Sequence, residues 1–456
     1  MKKIALLILS LYLISCQNNE NRNVDYEILS GQIKNAPANQ FILRDLQNQK
    51  VAAIQLDSLG NFSDTLHLPK SYYKLNLGNQ YTWLYLKPGY NLHMQVDYND
   101  FDKSLSFQGE GAENNNYLAA KMLKGIEMRP KTAYQYYGQL DEKAFVRLQD
   151  SIYNVYDKLL QQVDDKEFAD LEKFRNQFNK SSYLSKYEMV RRYLTHDNSF
   201  KVSKDFPQAF EADNLNDERF LKIPQGVQIL SEYMTFKIAG KKNGQDVDPY
   251  ERMQMIAEEI KNPKLRETLA LREGKYNLLY TKHMEDFYRL FDQLVQNDSL
   301  KKPVKEKYDN LKSMLPGAPS PDFTAYDING KEYHLKDFAG KALYIDLWAT
   351  WCAPCKAEIP FLDKIKEQYK GKPVNFLSLD VYDKKDKWEQ MLKQQKLSGW
   401  QLINTNREMP FLKKYVVDGI PRFILLDKDG KIVDANAPRP SSGKTLTELI
   451  DKTIGK

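Results

Sequence analysis

Leu343-Tyr344-Ile345-Asp346-Leu347-Trp348-Ala349-Thr350-Trp351-Cys352-Ala353-Pro354-Cys355 decides how this chain is read. An apolar run rich in strand formers ends in two tryptophans, and two thiols follow with two residues between them. Beyond them, the segment from Lys356 to Tyr369 carries apolar residues at Ile359, Leu362, Ile365 and Tyr369, a spacing that marks one face of a helix. The thiols therefore sit at a strand-to-helix junction, with Cys352 at the helix start. Free N–H groups and the positive end of the helix dipole stabilise an anion there, in this case a thiolate. Two cysteines three apart in a first helical turn can also close a disulfide, which makes the pair a dithiol/disulfide switch.

Placed first in the helix, Cys352 is expected to turn its sulfur to solvent and act as the nucleophile, since only the thiolate attacks a disulfide. Cys355, one turn inward, is expected to resolve the mixed disulfide. Trp348 and Trp351 supply an apolar collar, although core packing explains Trp348 equally well. Asp346 lies six residues before Cys352 on an expected central strand. Desolvation there raises a carboxyl pKa and leaves the group able to exchange a proton with the thiols. The competing reading is a carboxylate bonded to a structural partner. A zinc site is disfavoured, because zinc needs three or four ligands. The remaining cysteine is Cys16, and His67, His93, His196, His283 and His334 are scattered without ligand spacing.

The run from Ile345 to Cys355 resembles the active-site strand and turn of thioredoxins. Asp418-Gly419-Ile420-Pro421-Arg422-Phe423-Ile424-Leu425-Leu426-Asp427 resembles the segment holding that family's cis-proline. Pro319-Ser320-Pro321-Asp322-Phe323, with Asn329-Gly330-Lys331 soon after, is similar to the TlpA/ResA branch of membrane-attached thiol–disulfide proteins, within the AhpC/TSA-redoxin superfamily. The resemblance covers roughly the last third of the chain. It implies that Asp346 is the buried acid of the fold and that Glu358, one turn beyond Cys355, matches an acid of ResA-like proteins. An exposed helix residue explains Glu358 nearly as well. It also implies a cis Ile420–Pro421 bond that brings the Ile420 backbone beside the disulfide to pair with an extended substrate. Missing-donor logic alone already allows Pro421 at a strand start. No cofactor is implied.

The chain has 456 residues, too many for one compact domain. Residues 1–16, MKKIALLILSLYLISC, begin with two lysines and an apolar run from Ile4 to Ile14 that suits a signal peptide and is too short to span a bilayer. Leu13-Ile14-Ser15-Cys16 looks like a bacterial lipobox, which implies cleavage before Cys16 and its lipidation. The other reading is a plain secretory signal that happens to contain a cysteine. The polar stretch from Gln17 to Asn23 suits a tether. Net charge is +6, and +4 once Lys2 and Lys3 are removed, because residues 1–15 hold no acids. Spread over this length it is no nucleic-acid footprint.

Residues 24–111 alternate, as in Tyr26 to Ile33 and Asn91 to Val96, with turn signals at Leu59-Gly60-Asn61, Lys87-Pro88-Gly89 and Gln108 to Gly111. This pattern predicts an antiparallel β sandwich, similar to an uncharacterised β domain found ahead of such thioredoxin modules. Residues 112–312 read as helical: Phe145, Leu148, Ile152, Tyr156, Leu159 and Val163 keep a buried-face spacing. Asp164 with Glu167 predicts a cap ahead of Phe168, and Asp248-Pro249-Tyr250-Glu251 predicts another helix start. Met314 to Pro321 breaks the helices, and residues 313–456 alternate strands and helices as an α/β domain with a mixed sheet. The class expected is thus multidomain α+β, ending in a thioredoxin fold.

The function that follows is a thiol–disulfide oxidoreductase, lipid-anchored in the cell envelope on its periplasmic side. It would reduce disulfides of exported proteins and be recharged by a membrane electron donor. Two other readings compete. Peroxiredoxins place Thr or Ser three before, and Pro seven before, their reactive cysteine; here those positions hold Ala349 and Ile345. A binding lipoprotein with a vestigial redox domain fits poorly with an intact Cys pair, Asp346 and Pro421.

Overall fold

The structure, a computed structural model, describes residues 24–129, 133–195, 197, 199–207, 215–241, 247–395, 397, 399–406 and 408–455. Cys16, the signal segment and the tether expected over residues 1–23 lie outside the described residues, as does His196. The chain divides into two compact units, Met1–Gly244 and Gln245–Lys456. No described helix is long and apolar enough to cross a membrane.

In the first unit, strands β1 (Glu27–Lys34), β2 (Gln40–Arg44), β3 (Lys50–Gln55), β4 (Asn61–Leu66), β5 (Ser71–Leu77), β6 (Gln80–Leu86), β7 (Asn91–Asp97) and β8 (Ser106–Gly109) form two four-stranded sheets. Their orders are β4-β1-β7-β8 and β3-β2-β5-β6. Leu29, Ile33 and Leu92 of one sheet share a single core with Phe41, Leu75 and Leu84 of the other. Each such side chain, fully buried, contributes roughly 1.5–3 kcal/mol. One pair departs from the antiparallel expectation: β1 and β7 run parallel, with Ile28 opposite Asn91 and Val96 opposite Ile33. Between β1 and β7 the chain crosses to the other sheet twice, returning at β4 on the opposite side of β1, so no hairpin joins the two strands and imposes opposite directions. Gly31 permits the close approach, since a Cβ there would fall 1.9 Å from the Met94 carbonyl oxygen.

The same unit continues into helices Ala112–Met128, Glu142–Leu160, Lys166–Thr195 and Gly226–Lys241. Phe145, Ile152 and Tyr156 of the expected face are buried in the second, where Leu160 rather than Leu159 completes it, while Leu148 is only partly buried and Val163 lies beyond the helix end. The cap ahead of Phe168 is a correction: Asp165, not Asp164, accepts the Phe168 N–H at 3.1 Å.

The second unit begins with helices Pro249–Glu259, Pro263–Asn277, Met284–Leu294 and Asp298–Ser313. Asp248 and Glu251 form the expected capping box. The helical stretch 112–312 expected as one block is therefore split between units. The reason is packing: Phe287, Phe291, Val304 and Leu311 share an apolar cluster with Val416, which lies well past the expected boundary at residue 313.

A seven-stranded sheet follows, built from β9 (Thr324–Tyr326), β10 (Glu332–His334), β11 (Ala342–Trp348), β12 (Val374–Asp380), β13 (Trp400–Ile403), β14 (Arg422–Leu426) and β15 (Ile432–Asp434). The order is β10-β9-β13-β12-β11-β14-β15, with β11 parallel to β12 and antiparallel to β14. Every residue of β11 is buried, because apolar layers cover both faces. Leu343, Ile345 and Leu347 join Phe411 and Tyr415 on one side, while Tyr344 joins Leu362, Tyr369 and Leu446 on the other. The period of two places Asp346 and Trp348 on the face of Tyr344, towards the helix Ala353–Gln368 that follows the thiols.

Candidate active site

Strand β11 delivers the chain to the turn Ala349–Trp351, and the site helix Ala353–Gln368 starts at once. Cys352 is its N-cap, with its sulfur accepting the Cys355 N–H at 3.2 Å. Pro354 suits the first turn, where a missing N–H costs nothing. Cys352 and Cys355 are joined in a disulfide with a Cα–Cα distance of 5.3 Å.

The expectation that Cys352 faces solvent does not hold in this oxidised form, since the residue is only 3% exposed. Its sulfur lies in an apolar cluster with Trp348, Trp388 and Ile403, against which Ile420 also packs. Trp351 is the exposed half of the collar, at 60%, and its ring lies 6.5 Å from that of Tyr382. The Ile420–Pro421 peptide is cis, and Pro421 sits directly before β14. Side chains from distant places in the sequence, Trp348, Trp388, Ile403 and Ile420, thus meet around one disulfide.

Asp346 faces a small cavity lined by Trp348, Ile359, Lys366, Ser378 and Gln401. Burial pushes its carboxyl up to about 7, partly offset by the Lys366 ammonium and a hydrogen bond from Ser378. Ser378 stands directly opposite on β12. Lys366 is itself pushed down by burial, with Asp363 and Asp346 acting the other way. Glu358, expected as an acid of the site with a plain exposed helix position as the competing reading, is buried. Ser441 donates to it with both its backbone N–H and its hydroxyl, each at 2.9 Å. That contact spans 83 positions, a separation that helix periodicity cannot reveal.

Two acids went unnoticed in the sequence. Asp380 ends β12 beside Trp348, and its Oδ1 accepts the N–H groups of Tyr382 and Asp383 at 3.2 and 3.0 Å. Its Oδ2 is buried without a hydrogen-bond partner among the described residues. Burial first, then the neighbouring Asp383, raises this carboxyl to about 8. Asp383 in turn accepts the Thr350 N–H and so braces the turn that carries Cys352. Asp-Val-Tyr-Asp at the end of an apolar run was the available signal.

A stability test follows for Asp346. The folded protein keeps its proton up to about pH 7, against 3.8 as the ordinary value. Stability from this group is therefore complete below about pH 4 and is lost as pH rises through about 7. Asp380 acts with the same sign up to about pH 8. Asp346→Asn should reduce the fall and raise the stability of the oxidised protein at alkaline pH, on the order of 1–3 kcal/mol. Denaturant titrations on either side of that window read the change, and an unaltered pH dependence contradicts the assignment.

With this geometry in place, comparison with known proteins adds four findings. The redoxin family model matches residues 315–449. Thiol-disulfide oxidoreductase ResA of Bacillus thuringiensis subsp. konkukian is 35% identical over 117 residues, 26% of this chain and 66% of that protein. The chain thus spans just under two thirds of that relative's length. ResA of Bacillus cereus is 32% identical over 127 residues, 28% of this chain and 72% of its own length. A crystal structure of the thioredoxin domain of a thiol-disulfide oxidoreductase from Bacteroides vulgatus is 28% identical. It covers 31% of this chain and 99% of that one, with a TM-score of 0.29.

Proposed function

Because the chain belongs, through its last third, to the thiol-disulfide oxidoreductase ResA family, we propose that it is a protein-disulfide reductase working through Cys352 and Cys355. One observation carries this reading: a closed Cys352–Cys355 disulfide capping a helix, with the loop before cis-Pro421 packed against it. In the reduced protein the Cys352 thiolate attacks a substrate disulfide, forming a mixed disulfide and expelling one substrate thiolate. The Cys355 thiolate then attacks the Cys352 sulfur, which releases the second substrate thiol and leaves the oxidised pair. Two electrons pass to the substrate, and a dithiol donor must return them. Asp346, protonated near neutral pH, exchanges the proton that Cys355 loses. Trp351 and the Ile420 backbone receive the polypeptide around the substrate disulfide. Glu358 joins the proposal by tying the helix beyond Cys355 to Ser441.

The full chain should speed the reduction of insulin disulfides by dithiothreitol, and Cys352→Ser should not. Turnover that survives in Cys352→Ser would remove this reading. Nothing observed favours a peroxidase, since Ala349 stands three before Cys352.

The proposal also places the protein in the cell envelope, on the periplasmic side and anchored by lipid at Cys16. The charged start, the short apolar run and Leu13-Ile14-Ser15-Cys16 support this. Its partners would be exported proteins bearing disulfides and a membrane electron donor. Intact-mass analysis should find a mature chain beginning at an acylated Cys16; an unmodified N-terminus elsewhere contradicts the anchor.

A further inference from the structure

The matched redoxin segment starts at residue 315, so the four helices between Pro249 and Ser313 lie outside that family match. Yet these helices reach the loop that precedes cis-Pro421. Val416 is buried in their apolar cluster with Phe287, Phe291 and Val304. It holds a φ of 51°, a left-handed conformation that a β-branched residue adopts only where its surroundings impose it. Two residues on, Asp418 pairs with Lys307 of the helix Asp298–Ser313. The Lys307 side chain is only 10% exposed, and its ammonium also donates to the Lys275 carbonyl oxygen at 2.8 Å. Lys307 therefore ties two helices and the loop together. On the far side, the Val417 carbonyl accepts the Tyr382 hydroxyl at 3.4 Å, and Ile420 packs against the disulfide cluster. Five residues, 416–420, thus run from the helical layer to the sulfurs and are held from both sides.

We propose that these helices are a working part of the redox site, with Lys307 as a positioning residue that sets the backbone of Asp418–Ile420 for pairing with an extended polypeptide substrate. The inference rests on the reductase reading and adds to it what selects the substrate. A loop released from Lys307 samples more conformations, and each substrate must then order it again on binding. The cost falls on association with the polypeptide. The chemistry at the sulfurs is untouched, because Lys307 bonds to neither cysteine.

The test uses the full chain, with insulin as the polypeptide disulfide. Lys307→Met keeps the aliphatic stem and removes the ammonium, Lys307→Arg restores a cation, and Asp418→Asn breaks the same pair from an exposed loop where folding is not at stake. Lys307→Met and Asp418→Asn should each raise KM for insulin about three- to tenfold. Their kcat should stay close to wild type, the Cys352–Cys355 potential should not move, and Lys307→Arg should recover most of the affinity. An unchanged KM in both charge-removing variants overturns the proposal. So does an equal loss in kcat or a shifted potential, because either would mean a general structural role. If the wild type itself fails to reduce insulin, the reductase reading is what has failed, and the two outcomes stay distinct.

Discussion

Cys355→Ser is expected to accumulate mixed disulfides with substrate proteins through Cys352, whereas Cys352→Ser should trap nothing and lose disulfide reduction by about 1000-fold or more. The asymmetry comes from the helix start. Cys352 is the N-cap, and the amide of Cys355 donates to its sulfur at 3.2 Å. A charge on that sulfur is therefore met by a backbone donor and by the positive end of the helix. Cys355 lies inside the first turn, and in the oxidised form both residues are only 3% exposed, so it is the backbone donor and the helix end at the Cys352 sulfur that single it out for attack. With Ser at 355 the second displacement has no nucleophile, and the mixed disulfide persists. Non-reducing gels followed by mass spectrometry of the adducts read the result directly. Equal trapping by both variants would contradict the order of attack.

How much of this could be seen in the sequence depended on the range of the interaction. The apolar run before the thiols and the stripe Ile359, Leu362, Ile365 are local patterns, and they gave the strand, the helix and the junction correctly. Pro421 followed from a resemblance, and its cis bond is present. What escaped depends on partners far along the chain. Ser378 faces Asp346 through strand register, which period-two alternation does not specify. Glu358 reads as exposed until Ser441 arrives from 83 positions away. Asp380 and Asp383 look like an ordinary turn after a strand, and only the folded sheet puts them beneath Thr350. The helices from Pro249 onward carry no sign in the sequence that they pack with Val416. The parallel β1–β7 pair was hidden for the same reason, since alternation shows faces and not direction.

The second large effect concerns the direction of electron flow. A disulfide is a strong oxidant when its reduced form, with a stabilised thiolate, is favoured. Here the residues between the thiols are Ala353 and Pro354, which bring neither a side-chain donor nor a charge. Among the described residues, Cys352 Sγ has the Cys355 N–H as its hydrogen-bond donor, and no basic side chain bonds to it. The buried acids Asp346 and Asp380 hold their protons up to about pH 7 and 8 and bring no positive charge to the site. Burial of the pair in an apolar cluster raises a thiol pKa. The helix N-terminus opposes this, but it is common to proteins of this fold and cannot by itself make one member oxidising. The expected potential is therefore nearer about −270 mV than about −120 mV, a gap of roughly 7 kcal/mol for two electrons.

One equilibration decides it. The purified full chain is incubated in a series of glutathione redox buffers, quenched with acid and alkylated, and the fraction of Cys352–Cys355 disulfide is counted by mass. A reductase of exported proteins requires a midpoint close to about −270 mV; a midpoint above about −150 mV would make the protein an oxidase and contradict the function proposed here.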